Sequence, residues 1–203
     1  VSMGEQIFYY NPMKQEDVVS LLQRLDEHQI GYAVETNTGI FGNEKGIEKV
    51  DLIMELNRKE NPDLPADFLG HYEVVEDASK IEKVNKILFF DAPLSMEQMI
   101  ALVGSRFGIV PNTIVHFGGT CGEISEAGMN KAKGITKLLE FIPETIEDTV
   151  AIGDGFNDIE MLQTAYVGIA MGNARDEVKT VANYVTRHVD EDGLAYAIRK
   201  VVK

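Results

Sequence analysis

Hydrophobic residues in the first part of the chain follow helical and strand periodicities in turn. Two groups of apolar residues have the spacing of helices with one buried face: Val18, Leu21, Leu22 and Leu25, and then Ile47, Val50 and Met54. Short apolar runs predict strands at 7–10, 32–35, 40–41, 86–91, 113–118 and 123–125. Ser95 begins a further helix with a capping-box sequence, whereas the polar residues 57–83 predict a mostly irregular connection. These elements predict one α+β unit over residues 1–127.

The hydrophobic pattern changes at Gly128, after which the segments that connect predicted helices and strands become short. One helix is predicted from an apolar stripe that ends before Pro143 and is formed by Ile135, Leu138, Leu139 and Ile142. Residues 149–153 form an apolar run that is typical of a parallel strand covered on both faces. The remaining pattern predicts helices at 157–165, 174–182 and 193–202 and strands at 166–171 and 184–186. This alternation predicts a second unit of βα type over residues 128–203, and an α/β protein as a whole.

The amino-acid composition limits the classes of partner that this protein is expected to bind. The chain carries 33 acidic residues against 19 Lys and Arg, and its net charge of −14 disfavours binding to nucleic acid or anionic membranes. No apolar run approaches the roughly 18–20 residues of a membrane span, and the first residues do not form a secretory signal pattern. The single cysteine, Cys121, excludes an internal disulfide. The composition therefore predicts a cytoplasmic protein without nucleic-acid or membrane partners.

A polar cluster follows the apolar run 149–153 in the sequence AIGDGFNDIEML. Asp154 comes directly after the predicted strand, and ligands of open α/β sheets bind beyond the carboxyl ends of strands. Asn157 and Asp158 follow at a predicted helix start. Since Mg²⁺ takes oxygen ligands and usually one or two carboxylates, Asp154 is predicted to bind Mg²⁺ directly and Asp158 through water. The alternative is that Asn157 and Asp158 only cap the helix.

A pair of lysines lies upstream in the sequence GMNKAKGITKLLE. A lysine at a helix N-terminus opposes the helix dipole, so Lys131 and Lys133 gain nothing structural from this position. An anion between the lysine and the helix end would remove the conflict. Lys131 is the better candidate because it is at the start of the helix, although a solvent-facing lysine explains the sequence about as well.

Four sequence segments carry a resemblance to a known family: NKAKGI, GDGFNDIEML, IAMGNARDEVKTVANYVT and DEDG. They are similar to the C-terminal half of Cof-type phosphatases of the haloacid dehalogenase superfamily. The resemblance implies a Rossmann-like core, of which this chain has the C-terminal half, and an α+β cap over residues 1–127. P-type ion pumps share the GDGxND signature but need membrane spans.

The resemblance also implies an activity and a role for each candidate residue. The family hydrolyses small phosphorylated metabolites with Mg²⁺, through an aspartyl-phosphate. Asp154 would be a Mg²⁺ ligand supported by Asp158, Asn157 would contact the substrate, and Lys131 would hold the phosphoryl group. Asp154, Asp158 and Lys131 are therefore the predicted catalytic residues.

The family's nucleophile, an aspartate in a DxD pattern after the first core strand, is not found in this sequence. Asp91 ends an apolar run, but Pro93 stands two positions later and the run lies within the cap-like region. The sequence therefore predicts an N-terminally truncated phosphatase that is inactive alone. Two alternatives are a non-catalytic binding protein with the same fold and a complete enzyme that uses Asp91.

The missing nucleophile strand would leave a neighbouring core strand unpaired on one side. In the family the nucleophile strand lies beside the strand that precedes Asp154. Without it, residues 149–153 are expected to expose a row of backbone N–H and C=O groups, with no charge, proline or bulge to discourage pairing. The sequence therefore predicts possible self-association through an exposed core strand.

Overall fold

The computed structural model describes residues 2–3, 6–7, 9–65, 70–111 and 119–201. Its strands are β1 (Ser2–Met3), β2 (Gln6–Ile7), β3 (Gly31–Glu35), β4 (Ile40–Gly42), β5 (Tyr72–Val74), β6 (Lys86–Ala92), β7 (Phe107–Pro111), β8 (Thr120–Glu126), β9 (Val150–Gly153), β10 (Val167–Ala170) and β11 (Tyr184–Val185). Its helices are α1 (Gln15–Glu27), α2 (Glu44–Glu60), α3 (Met96–Val103), α4 (Lys131–Leu139), α5 (Ile159–Thr164), α6 (Asp176–Val181) and α7 (Gly193–Val201). Among these residues, no helix combines the length and the apolar character of a membrane span.

The chain divides into two compact units. One is Asn11–Ala127, and the other combines Val1–Tyr10 with Gly128–Lys203. The sequence prediction placed residues 1–127 together, whereas the structure groups the first ten residues with the C-terminal unit. The strand predicted at 7–10 is wrong for Tyr9 and Tyr10, which are outside any strand.

The Asn11–Ala127 unit is built on a six-stranded sheet in the order β5-β4-β3-β6-β8-β7. Its neighbouring strands are antiparallel except for β4 and β5. Alternate residues of β3 enter two separate apolar clusters, as the two-residue period of a strand requires. Tyr32 and Val34 pack in the cluster that contains the α1 leucines, and Ala33 packs with Ile47 and Val50 of α2.

Most predicted elements of this unit are confirmed. The four predicted apolar residues of α1 are fully buried, and Ser95 forms the predicted capping box with Gln98. The prediction of an irregular connection over 57–83 is wrong in part, because α2 continues to Glu60 and β5 lies within the range. The strand β7 was not predicted. The strand predicted at 113–118 lies outside the described residues.

The C-terminal unit contains three parallel strands in the order β11-β10-β9. The helices α5 and α6 connect these strands and bury Leu162 and Val178 against Ala151 and Ala170. The predicted βα units are therefore present. The stripe on α4 is less buried than expected, because its leucines and isoleucine are only half-buried and Ala132 is the buried residue of that helix.

Candidate active site

The candidate site lies at the carboxyl edge of the parallel sheet. Ile152 and Gly153 at the end of β9 are in register with Ile169 and Ala170 of β10. The loops that follow these two strands therefore leave the sheet at the same edge, which is where α/β sheets bind ligands. Asp154 is the first residue beyond β9, and its side chain is exposed.

Asp158 organises the loop that carries Asp154. Its Oδ2 accepts hydrogen bonds from the backbone N–H of Asp154, at 2.9 Å, and of Gly155, at 3.0 Å. Asp158 ends a 3₁₀ turn that begins at Phe156 and leads into α5, and its side chain is 5% exposed. The carboxylate thus holds backbone groups that precede it, rather than the helix N–H groups that a conventional N-cap would hold.

The two glycines beside Asp154 lie close to the side chains of the turn that follows. A Cβ atom on Gly153 would lie 2.5 Å from the Cβ of Asp158, and a Cβ on Gly155 would lie 2.5 Å from the Oδ1 of Asn157. Neither glycine has a positive φ. Gly153 therefore leaves room for the side chain of Asp158 as the 3₁₀ turn folds back over the end of β9, whereas the amide end of Asn157 can turn away from a Cβ on Gly155.

Lys131 joins the site from α4. The helix is capped by Asn130, whose side chain accepts from the N–H of Lys133 at 2.9 Å, so Lys131 is its first residue. The Nζ of Lys131 donates to Oδ1 of Asp158. The anion that the sequence predicted opposite Lys131 is, in this structure, the carboxylate of Asp158. The side chain of Lys131 is 52% exposed, so its ammonium also faces solvent.

The Asp158 carboxyl is held in its charged form. Burial acts to raise its pKa, but the hydrogen bond from Lys131, the two backbone N–H groups and the charge of Lys131 together lower the pKa below its ordinary value. Asp158 therefore remains ionised throughout the neutral range, and its charge compensates that of Lys131.

Asn173 is a site residue that the sequence reasoning did not single out. Its Nδ2 donates to Oδ2 of Asp154 at 3.2 Å, and its Oδ1 accepts from the backbone N–H of Val189 at 3.1 Å. A signal was available in the sequence, because Asn173 comes three positions after the end of β10 and Asp154 comes directly after β9. Polar residues placed after neighbouring parallel strands converge at one edge of the sheet.

The donor set at this edge fits a hard cation. The exposed carboxylate of Asp154 can bind Mg²⁺ directly, whereas both oxygens of Asp158 already accept hydrogen bonds and can support a cation only indirectly. Within the described ranges there is no group of three or more His, Cys, Asp or Glu side chains that could form a complete metal site. A cation here would therefore need oxygen ligands beyond those of Asp154.

The carboxylate of Asp91 is engaged by two contacts within the Asn11–Ala127 unit. Asp91 lies at an irregularity between β6 and β8, with φ at +47°. Its carboxylate forms an ion pair with Lys49 and accepts the N–H of Gly119 at 3.1 Å. Asp91 thus lies one residue before the end of β6 and is held in place by a lysine and a backbone donor.

Three comparisons, two of sequence and one of structure, show which known proteins this chain resembles. Residues 1–198 match the family model described as haloacid dehalogenase-like hydrolase. The putative phosphatase YkrA of Bacillus subtilis (strain 168) is 50% identical over 74 residues, which are 36% of this chain and 29% of YkrA. Phosphatase YwpJ of the same organism is 23% identical over 211 residues, covering 97% of this chain and 74% of YwpJ.

The solved structure of the subclass IIB sugar phosphatase BT4131 superposes with a TM-score of 0.74 at 26% identity, and the match covers 98% of this chain and 70% of that protein. This chain thus spans less than a third of YkrA and larger shares of the other two. The predicted Rossmann-like α/β fold and the resemblance to Cof-type proteins are confirmed. With a family match from residue 1 to residue 198, the chain belongs to the haloacid dehalogenase-like hydrolases.

Proposed function

We propose that this chain carries the Mg²⁺-binding and phosphate-binding half of a phosphomonoesterase that acts on a small phosphorylated metabolite in the cytoplasm. The observation that carries the proposal is the group formed by Lys131, Asp154 and Asp158 at the carboxyl edge of a parallel sheet. The family match and the name of the sugar phosphatase BT4131 support the reaction class and the substrate class.

Each residue has a role that follows from its position. Phosphoryl transfer depends on positioning and on neutralising charge on the phosphoryl oxygens. Lys131 has an ammonium group that is half exposed at the start of α4, where it can pair with a phosphoryl oxygen. Asp158 keeps that ammonium in place and fixes the loop of Asp154.

Asp154 is the proposed Mg²⁺ ligand, and Asn157 is the proposed substrate contact. Asp154 is exposed at the end of β9, and Asn157 lies in the turn that follows it. When bound, Mg²⁺ would supply positive charge to the phosphoryl oxygens. The attacking carboxylate would come from outside these 203 residues, because no apolar strand in the sequence leads into the DxD pattern.

Variants of the full-length gene product test these roles. With p-nitrophenyl phosphate and Mg²⁺, we expect Asp154→Asn and Lys131→Ala each to lose at least about 100-fold in kcat/KM, the scale for removing one electrostatic contact in such a site. Lys133→Ala is the matched control, because the side chain of Lys133 is exposed two residues further along α4. This variant should keep activity close to that of the unmodified protein.

Two outcomes would contradict the proposal. Unchanged activity in Asp154→Asn would remove Asp154 from the site. A full-length product without phosphatase activity towards any small phosphate ester would favour the alternative, a binding protein that retains the fold.

A further inference from the structure

We propose that Asn173 is a positioning residue that fixes the carboxylate of Asp154 in one orientation. Its amide bridges Oδ2 of Asp154 and the backbone N–H of Val189. The bridge engages one oxygen of Asp154 and presents the other, Oδ1, to a cation. The role in cation binding rests on the proposed function, whereas the fixed orientation of Asp154 does not depend on it.

The orientation of the Asn173 amide is determined by its partners. The N–H of Val189 can only donate, so the atom of Asn173 that faces it must be the carbonyl oxygen Oδ1. The NH₂ group is then directed at the carboxylate of Asp154, whose oxygen accepts the hydrogen bond. Both contacts require an amide, because a carboxylate at this position has no N–H to donate and an aliphatic side chain has neither group.

The backbone on the N-terminal side of Asn173 is held firmly. The N–H of Met171 donates to the carbonyl oxygen of Gly153 at 2.9 Å, which ties the loop to the end of β9. The N–H of Gly172 donates to the carbonyl oxygen of Arg187 at 2.9 Å. A Cβ on Gly172 would lie 2.5 Å from the carbonyl carbon of Arg187, so the two segments are in close contact.

An exposed aspartate without such a partner would exchange among staggered rotamers. Three wells of similar population would leave the cation-binding orientation occupied about a third of the time. The apparent affinity for a cation falls in proportion to that fraction. Removal of the Asn173 amide is therefore expected to weaken cation binding at Asp154 about threefold, without removing any ligand atom.

The alternative is that Asn173 only braces the loop around Val189. Two substitutions separate these roles. Asn173→Ala removes both contacts, whereas Asn173→Asp keeps an acceptor for Val189 and removes the donor to Asp154. Asn183→Ala is the matched control, since Asn183 is also exposed and its Oδ1 accepts from the N–H of Gly168 at 2.7 Å. This hydrogen bond of Asn183 is thus to the backbone, in the same unit.

The first measurement is the χ1 angle of Asp154 in the isotope-labelled 203-residue chain, from three-bond couplings between Cγ and the backbone N and C′ atoms. The unmodified chain and Asn183→Ala should show the couplings of a single rotamer, and both Asn173 variants should show different or averaged couplings. An averaged Asp154 in the unmodified chain, or couplings that do not change in either Asn173 variant, would overturn the inference.

The second measurement uses Mn²⁺ as the probe, because its paramagnetic broadening detects weak binding. Broadening of the amide resonances of Asp154 and Gly155 should need about threefold more Mn²⁺ in Asn173→Ala than in the unmodified chain. Equal Mn²⁺ requirements in the two chains would contradict a role in cation binding. If Asp154 has a single rotamer but Mn²⁺ broadens no resonance near it, the orienting role stands and the cation site of the proposed function fails.

Discussion

The buried carboxylate of Asp158 has two functions in this structure. It holds the loop of Asp154 through two backbone N–H groups, and it holds Lys131 through an ion pair. A buried carboxylate with this number of donors contributes to stability as well as to the site. The sequence predicted both Lys131 and Asp158 as site residues, but not their pairing, because 27 positions separate them and no local pattern links them.

The charge of Asp158 can be tested by an isosteric substitution. Asp158→Asn should lower the free energy of unfolding at pH 7 by about 1.5–3 kcal/mol, the range for hydrogen bonds to charged groups. Since the pKa of Asp158 is lower in the folded chain, the stabilisation is complete above the ordinary carboxyl range and is lost as the pH falls below about 4. The difference between the two chains should therefore shrink between pH 7 and pH 3 in denaturant titrations.

A control separates this effect from a general loss of negative charge. Asp148→Asn removes an exposed carboxylate of the same unit that accepts the N–H of Thr145 at 2.9 Å. It should change the free energy of unfolding at pH 7 by less than Asp158→Asn does. If the Asp158→Asn difference had the same size at pH 3 and pH 7, the assignment of a charged, stabilising Asp158 would be wrong.

The glycines of the site give a second prediction at the scale of single residues. Gly153→Ala places a Cβ against the side chain of Asp158 and should lower the free energy of unfolding by about 1–3 kcal/mol, as overpacking does. Gly134→Ala is the matched control, because Gly134 lies within α4 and a Cβ there has no atom within 4 Å. It should raise the free energy of unfolding by about 0.4–1 kcal/mol.

Thermal or urea unfolding of the two variants measures both shifts. Equal effects of Gly153→Ala and Gly134→Ala would contradict the close packing of Asp158 over the end of β9.

Among the elements, the long periodic patterns were predicted well, whereas two of the short strands, β5 and β7, were missed. The helix α1 has a stripe with four fully buried residues, and such a stripe specifies both the helix and its buried face. The strands β5 and β7 have three and five residues and contain polar residues, glycine or proline, so their sequences resemble loops. They are strands because neighbouring strands supply hydrogen-bond partners, which a local sequence pattern does not encode.

The strand β9 has an edge position in the C-terminal sheet as described. It pairs with β10 on one side and ends the strand order β11-β10-β9. Its side chains include Val150, which is 41% exposed, and no charged residue or proline. Edge strands without such features are templates for pairing with another chain. We therefore predict concentration-dependent self-association of the 203-residue chain through β9.

Val150→Lys should abolish this association, because a lysine on an edge strand opposes pairing. Val185→Lys is the matched control, since Val185 is equally exposed but lies on β11, a two-residue strand that offers few backbone groups. Analytical ultracentrifugation over a concentration series distinguishes the two variants. A monomeric unmodified chain whose β9 amides exchange as slowly as those of β6 would show that this prediction is wrong.

At the scale of the whole molecule, the change in sequence pattern at Gly128 coincides with a boundary between the two compact units. The grouping of the first ten residues with the C-terminal unit was not predictable, because an association over more than 100 positions has no periodic signature. The net charge of −14 is a global property, so the proposed phosphate binding would have to rely on local cations such as Lys131.

We propose that these residues form part of a phosphatase site whose nucleophile comes from outside them. Phosphate release from p-nitrophenyl phosphate with Mg²⁺, measured in parallel for the 203-residue chain and the full-length gene product, checks this proposal. We expect activity in the full-length product and none above background in the 203-residue chain. Hydrolysis by the 203-residue chain that is abolished by Asp91→Asn would contradict the claim and make Asp91 the nucleophile.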